Sequence, residues 1–257
     1  MKPIIFFSIL YFLALPAFGQ ELQSQKNAVF QPGEQLKYKL KYGFFTAAEA
    51  TIRVVETDVR FGGKEVFHLV AEGSTAGAFN VLYKVNNRYD SYIDKKELTP
   101  YLYTENIHES NYRRTDKARF YQDERKIISK KGTFKSDGQT FDVLSAYYFA
   151  RGLELSKIKI GDKFSMDYFL DDGVSKLNIQ YVGKEKVKTS VGVFNCLKFS
   201  PSIQPGRIFR KDSKLYLWIT DDGNRIPVKA QVELLVGSVS MDLLSAKGLK
   251  YPLLLNK

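Results

Sequence analysis

The sequence predicts an all-β protein, built as one strongly curved antiparallel sheet or an incomplete β-barrel with a single central helix on its concave side. Three observations carry this. Apolar and polar residues alternate with period two through segment after segment. Short turn signals separate the segments: "GGK", "KKEL", "SDGQ", "DDG" at Asp171–Gly173 and "DDGN" at Asp221–Asn224. One stretch, "TFDVLSAYYFARGLEL" from Thr140 to Leu155, abandons the alternation and is apolar almost all round.

The chain opens with "MKPIIFFSILYFLALPAFGQ". Lys2 gives a positive start, Ile4 to Leu15 is an apolar run short for a membrane span, and Ala17-Phe18-Gly19 suits a signal peptidase. Residues 1–19 therefore read as a secretory signal peptide, with residues 20–257 as a single β-rich domain. No Cys lies near the cleavage point, so the exported form is not expected to be a lipoprotein. No other long apolar run follows, so the mature chain is expected to be soluble and not membrane-spanning.

The strands come next. In "LKYKLKYGFF", Leu36, Tyr38, Leu40 and Tyr42 point one way and Lys37, Lys39 and Lys41 the other, as in a half-buried strand. "EVFHLVAE", "NRYDSYID", "KLNIQYVG", "VFNCLKF", "KLYLWIT" and "IPVKAQVELL" repeat the habit. A sheet of so many strands must curl, pack on itself or close. Landmarks also recur in order at nearly one spacing: Gly33 and Gly161, Gly63 and Gly192, Ile93 and Ile219, Pro100 and Pro227. Either two related β-meanders, about 33–131 and 161–245, are joined by the helix, or one turn chemistry is reused.

The helix is expected over 141–153. At 100° per residue, Val143, Leu144, Tyr147, Tyr148, Phe149 and Leu153 leave no wide polar face, so it should be enclosed on several sides. Asp142 falls in its first turn and Arg151 in its last, each at the end that the helix dipole favours. Arg151 is either a charge anchor for a headgroup or carboxylate, or half of a buried pair with Asp142 or Asp222.

Composition narrows the function. The net charge is +11, which suits an acidic envelope surface, while many lysines alternate along strands as on a solvated face. Nucleic acid is not an expected partner of an exported chain. The one cysteine, Cys196, sits among apolar neighbours in "VFNCLKF" and reads as a small core residue. Two histidines, His68 and His108, and one Cys make no zinc site of standard spacing. "NIHES" places Ser, His and acid too close for a triad on one strand, and there is no G-x-S-x-G elbow. The DDG segments lack the later ligands of a calcium loop and read as hairpin turns. No catalytic, metal or cofactor site is singled out, although the 28 acidic residues could include an unmarked carboxylate pair. The 16 Tyr and 19 Phe suit either a packed core or an aromatic-lined hollow.

"PGEQLKYKLKYGFFTAAEATIRV", "DVLSAYYFARGLEL", "GKEKVKTSVGVFNCLKFSP" and "LYLWITDDGNRIPVKAQVELLVGSVSMDLL" together resemble the domain of unknown function 3108 family of exported bacterial proteins. Gly33-Glu34, the Asp142/Ser145/Arg151 helix and the Trp218/Asp222/Pro227 hairpin carry most of the likeness. The resemblance implies an exported β protein, in the periplasm of a Gram-negative cell, and no established activity. In architecture it is similar, more loosely, to the unclosed β-barrels of periplasmic lipoprotein carriers.

Two functions fit. In the first, a non-enzymatic periplasmic protein binds an apolar or amphipathic, lipid-like ligand between sheet and helix, with Tyr147, Tyr148, Arg151 and Trp218 as ligand-binding residues. In the second, an envelope interaction or scaffold protein with a solid core meets a partner protein on a basic face, at Lys37, Lys39 and Lys41, or along an edge strand.

Overall fold

A computed structural model describes residues 28–170, 172–202, 213–234 and 237–256; the leader expected over 1–19 lies outside them. The first run of strands is β1 (Gln35–Tyr42), β2 (Phe45–Val55), β3 (Arg60–Phe61), β4 (Lys64–Thr75), β5 (Asn86–Asp94), β6 (Pro100–Glu109), β7 (Tyr112–Tyr121), β8 (Lys126–Ser129) and β9 (Gly132–Lys135). A four-residue helix, α1 (Phe79–Leu82), interrupts it between β4 and β5. The second run is β10 (Thr140–Phe141), helix α2 (Val143–Arg151), β11 (Lys163–Leu170), β12 (Gly173–Lys188), β13 (Val193–Pro201), β14 (Leu215–Thr220), β15 (Pro227–Glu233) and β16 (Ser238–Lys247).

All the strands join one curved, unclosed sheet ordered β10-β11-β12-β13-β14-β15-β16-β1-β2-β4-β5-β6-β7-β8-β9, with the short β3 beside β4. Neighbours pair antiparallel except β10, which lies parallel to β11. Short turns make that pattern, because antiparallel strands need only hairpins between them. The two runs meet twice. At one seam β16 pairs with β1 along a full ladder, from Gln35 opposite Lys247 to Tyr42 opposite Val239. At the other, β9 and β10 are free edges, and Asp172 in the β11–β12 turn bridges the gap. It ion-pairs with Lys131 at 2.7 Å and accepts from Arg114 and Ser129 at 3.2 Å each.

Helix α2 is shorter than the expected 141–153. Thr140 and Phe141 form β10 instead, and Asp142 is the N-cap rather than a first-turn residue. Its extended backbone lets the carboxylate accept from the amides of Leu144 (2.8 Å) and Ser145 (2.9 Å). Ser145 Oγ returns the bond, accepting from the Asp142 amide at 2.8 Å, and Ser91 of β5 donates to the other carboxylate oxygen at 2.6 Å. Burial raises the pKa of Asp142 even against these bonds. The helix meets packed side chains on three sides. Ala146 packs with Phe141, Leu153 and Phe199; Leu144 and Tyr148 pack with Phe30, Leu69 and Leu98; Tyr147 lies against the cluster of Leu36 and Tyr38. Each large side chain so enclosed contributes about 1.5–3 kcal/mol. Only Val143 presents a substantial apolar surface outward.

No helix among the described residues is long and apolar enough to cross a membrane.

Candidate functional site

Arg151 is the centre of the interior. It emerges from the last turn of α2 with 2 % exposure, and Glu34, at 0 %, meets it from the entry to β1. Gly33 sets Glu34's place. With φ of +90°, a conformation natural to glycine, it turns the chain so that its amide donates to Val54 O and the Val54 amide donates to Glu34 O. The carboxylate then faces the guanidinium in a two-pronged pair, Nη1 to Oε1 at 2.6 Å and Nη2 to Oε2 at 2.9 Å. Nε and Nη2 also donate to the carbonyl of Asn224, at 3.2 and 3.0 Å.

The β14–β15 turn supplies that carbonyl. Asp222 Oδ1 accepts from Thr220 Oγ1 and from the amides of Asn224 and Arg225, which fixes the turn. The Asn224 side chain ties it to the C-terminal segment, donating to Tyr251 O at 2.9 Å and accepting from the Tyr251 amide at 3.0 Å. Phe30, Tyr147 and Tyr148 surround the guanidinium, their ring centres 5.6, 5.6 and 5.0 Å away. Tyr148 also donates to Glu34 Oε1 at 3.3 Å.

The electrostatics follow from this enclosure. Burial pulls the Arg151 pKa down, but Tyr147 and Glu34 outweigh it and the net shift is upward, so the charge persists. Burial pushes Tyr147 up to about 12 and raises Tyr38 as well, so both stay neutral phenols. Neither hydroxyl makes a hydrogen bond of acceptable geometry. A buried guanidinium whose donors already meet a carboxylate and a carbonyl has little to offer an incoming anion. Chemically the node is a neutral clamp joining helix, β1 entry and β14–β15 turn.

The structure therefore brings Tyr147, Tyr148 and Arg151 together, but pairs Arg151 with Glu34 rather than with Asp142 or Asp222. Asp222 acts one step removed, by shaping the turn that presents Asn224 O. Trp218 is elsewhere. Leu217 and Ile219 pack with the cluster around Ala146, whereas Trp218, 5 % exposed, belongs to the cluster of Leu36, Tyr38, Cys196 and Val228 against which Tyr147 also packs. Lysines of the two neighbouring strands cover its ring. Lys39 pairs across strands with Asp242, Asp242 with Lys229, Lys229 with Trp218, and Trp218 with Lys198. Lys198 Nζ lies 4.7 Å from the Trp218 ring centre and Lys229 Nζ 5.1 Å. Trp218 Nε1 donates to Glu185 at 3.0 Å, a bond that, with Lys198, lowers the pKa of that carboxylate. Lys37 is exposed, whereas Lys39 is half-buried and Lys41 pairs with Asp242 at 2.7 Å. β1 lies inside the sheet, so these lysines mark a face and not an edge.

Other candidates have structural partners. His68 Nε2 lies 2.8 Å from Asp90 Oδ1, and its ring stacks on Tyr92. Asp90 lies at about 2, because bonds from His68 and Arg88 outweigh its burial. Cys196 is buried and pushed up to about 12, mainly by desolvation. Among the described residues no three His, Cys, Asp or Glu side chains gather as a metal site would need. Two open clefts lie outside the node, the second bordering its β14–β15 turn at Asp222 and Arg225. One, of about 530 Å³, is lined by Phe61, Tyr101, Phe120 and charged side chains. The other, of about 300 Å³, has Leu155, Ile158, Tyr181 and Leu197 beneath Lys184, Asp221 and Arg225.

Comparison with known proteins fits this architecture. A family model, protein of unknown function (DUF3108), matches residues 37–244. No curated protein matches the chain. A β-barrel-like protein of domain of unknown function DUF1849 from Brucella abortus is similar with a TM-score of 0.56 and 9 % identity, over 88 % of this chain and 100 % of that one. A Bacteroides fragilis protein described as exported, with a YmcC-like fold, gives 0.36 and 12 % over 86 % and 99 %. A Parabacteroides distasonis protein described as a lipoprotein gives 0.37 and 10 % over 87 % and 99 %.

Proposed function

The chain belongs to the DUF3108 family of proteins of unknown function, and on that premise we propose a non-enzymatic, exported protein of the cell envelope that works through its outer surface around a solid core. The observation that carries this reading is the closed Arg151–Glu34–Asn224 node. The one cation of helix α2 is committed to the protein's own carboxylate, so the helix is a plug rather than a lid. What stays outside is the lysine-bearing face, where Lys198 and Lys229 cover the buried Trp218 and Lys39 follows two strands beyond Lys229. A row of cations on a sheet face suits an acidic partner protein. Cross-linking of the purified chain in an envelope extract should capture a stoichiometric partner. Substitution of Lys37→Glu, Lys39→Glu and Lys229→Glu together should abolish capture with an unchanged circular dichroism spectrum. Capture that survives the reversal would sink this reading.

A second reading has one observation in its favour. The cleft of about 300 Å³ beyond the C-terminus of α2 has an apolar floor and a charged lip, a lining suited to a small amphipathic, lipid-like ligand. Such a ligand would sit beside the plug and not between helix and sheet. Organic extraction and mass spectrometry of the purified protein should then yield a bound lipid, and a clean extract would dismiss it.

A further inference from the structure

Alternating strand directions place the β1–β2, β4–β5, β6–β7 and β15–β16 turns at one end of the sheet. Backbone bonds stitch them side by side: Gly43 N to Ser238 O at 3.2 Å, Ala76 N to Ala47 O at 2.9 Å, and Ser110 N to Lys84 O at 2.6 Å. This end is apolar where a turn region should be polar. Phe44 is 100 % exposed at the tip of its hairpin, Val81 88 % and Leu82 79 %, and Phe45, Tyr83 and Tyr112 stand exposed with them. Helix α1 buries none of its residues and has no side-chain cap. Burial within the fold therefore does not explain its apolar sequence. The turns at the other end read "KKEL", "QDER" and "DDGNR", with Val59, Leu254 and Leu255 the apolar side chains exposed near them.

Cations accompany these tips. Lys84, Arg113 and Lys130 are exposed at this end. Three carboxylates nearby are engaged, Glu109 by Asn87 and Tyr83, Asp242 by Lys41, and Asp172 by Lys131, while Glu233 at the β15–β16 turn is exposed. The chain as a whole carries +11.

We propose that this rim docks onto an anionic lipid bilayer, with Phe44, Val81 and Leu82 entering the interface and Lys84, Arg113 and Lys130 meeting headgroups. Protruding tips spread along a curved rim present neither the flat face nor the groove that a rigid protein partner fits. They suit a deformable surface, into which aromatic and aliphatic side chains insert beneath a layer of negative charge. The proposal rests on the reading that this protein acts through its exterior, and it adds a lipid surface at a different place from the lysine-bearing face.

Co-sedimentation of the purified chain with phosphatidylglycerol–phosphatidylcholine vesicles, and with phosphatidylcholine alone, tests it. The wild-type chain should partition onto the anionic vesicles, more weakly at high salt. Phe44→Ser, Val81→Ser and Leu82→Ser together should lower the partition coefficient at least about tenfold. These positions are exposed, so the variant should keep its circular dichroism spectrum and melting temperature. A Phe44→Trp reporter should shift its emission to the blue on vesicle addition. Wild-type indifference to anionic vesicles, or equal binding by the triple variant, overturns the proposal. So does a wild-type dimer that the triple variant converts to monomer, which would make the rim a self-interface. Absent vesicle binding, with cross-linking still sensitive to the lysine reversals, removes the rim proposal alone; failure of both removes the exterior reading too.

Discussion

Gly33 and Gly161 hold the same place in the two runs of strands. Each has a positive φ, +90° and +96°, and each starts a two-bond bridge to the following strand. Gly33 donates to Val54 O and Val54 donates to Glu34 O; Gly161 donates to Tyr181 O and Tyr181 donates to Asp162 O. The hairpins that follow match as well. β5–β6 and β14–β15 both carry a register shift beside an Ile–Pro pair, Ile93 with Pro100 and Ile219 with Pro227. Both place a residue of positive φ two positions before that proline, Leu98 and Arg225. The side chains then part ways. Glu34 turns inward to Arg151, while Asp162 stays at the surface and accepts from the Lys159 amide. Leu98 packs apolar against Gly152 at the helix end, while Arg225 donates to the Leu153 carbonyl. The backbone repeats its devices, but there is one helix between them, so equivalent positions must grip its end with unlike chemistry.

The comparison is sharpest at the two acids. Glu34→Ala leaves a buried guanidinium uncompensated and should cost about 3–5 kcal/mol. Asp162→Ala removes one exposed turn bond and should cost less than about 1 kcal/mol. Urea midpoints of the two variants measure the gap, and equal losses would dissolve the distinction. Replacing Glu34 and Arg151 together by Leu and Met should recover most of the larger loss. The turn residues come next. Leu98→Ala should cost about 2–3 kcal/mol through lost packing, against about 1 kcal/mol for Arg225→Ala, which loses a hydrogen bond. The same denaturation curves decide this, and a larger loss at Arg225 would reverse the assignment of grip.

The smallest effect concerns the two seams, one a strand ladder and one closed by side chains, where the ion pairs of Asp172 accompany the packing of Phe169 on Phe120 and Phe134. A hydrogen bond from Lys131, reinforced by its charge and by Ser129 and Arg114, holds the Asp172 carboxyl below the ordinary range. A lowered carboxyl pKa stabilises the fold above the unfolded value, about 4, and that contribution disappears as pH falls through the folded value. Asp142 has the opposite sign, its pKa raised by burial, so protonating it favours the folded helix cap. Acidification below about pH 4 should therefore speed hydrogen exchange at the β8–β9 and β11–β12 turns before it does so in α2. Asp172→Asn should remove that acid dependence while leaving the β16–β1 ladder protected. Uniform exchange at both seams would show that the bridge contributes nothing.

Much of the fold is legible without coordinates, because its signals are local. Alternation marks β1, and Ile93/Pro100 and Ile219/Pro227 mark where strands stop and restart within one residue. The helix shows as an interruption of period two, though of its expected residues Phe141 pairs in β10 and Asp142, with extended backbone, caps the helix. The site is less legible. Arg151 and Glu34 stand 117 positions apart, and nothing in either neighbourhood names the other. The Gly33-Glu34 opening was visible as a signature, but its use depended on where the helix end came to rest. Trp218, expected to act with Tyr147, Tyr148 and Arg151, is buried in the cluster that Tyr147 also packs against and lies beneath Lys198 and Lys229, a placement set by strands distant in sequence. α1 gave no signal, being four residues long without a cap.

The β16–β1 ladder has a consequence for how the chain comes into being. It sets Gln35 opposite Lys247, so the first described strand of the sheet to be synthesised pairs with the last. Until then that flank of β1 faces water as an open template, and the lysines along it discourage a wrong neighbour from settling there. Assembly of this sheet is therefore a matter of waiting: its first hairpins can form early, but the seam between its two runs of strands closes only once β16 has been made.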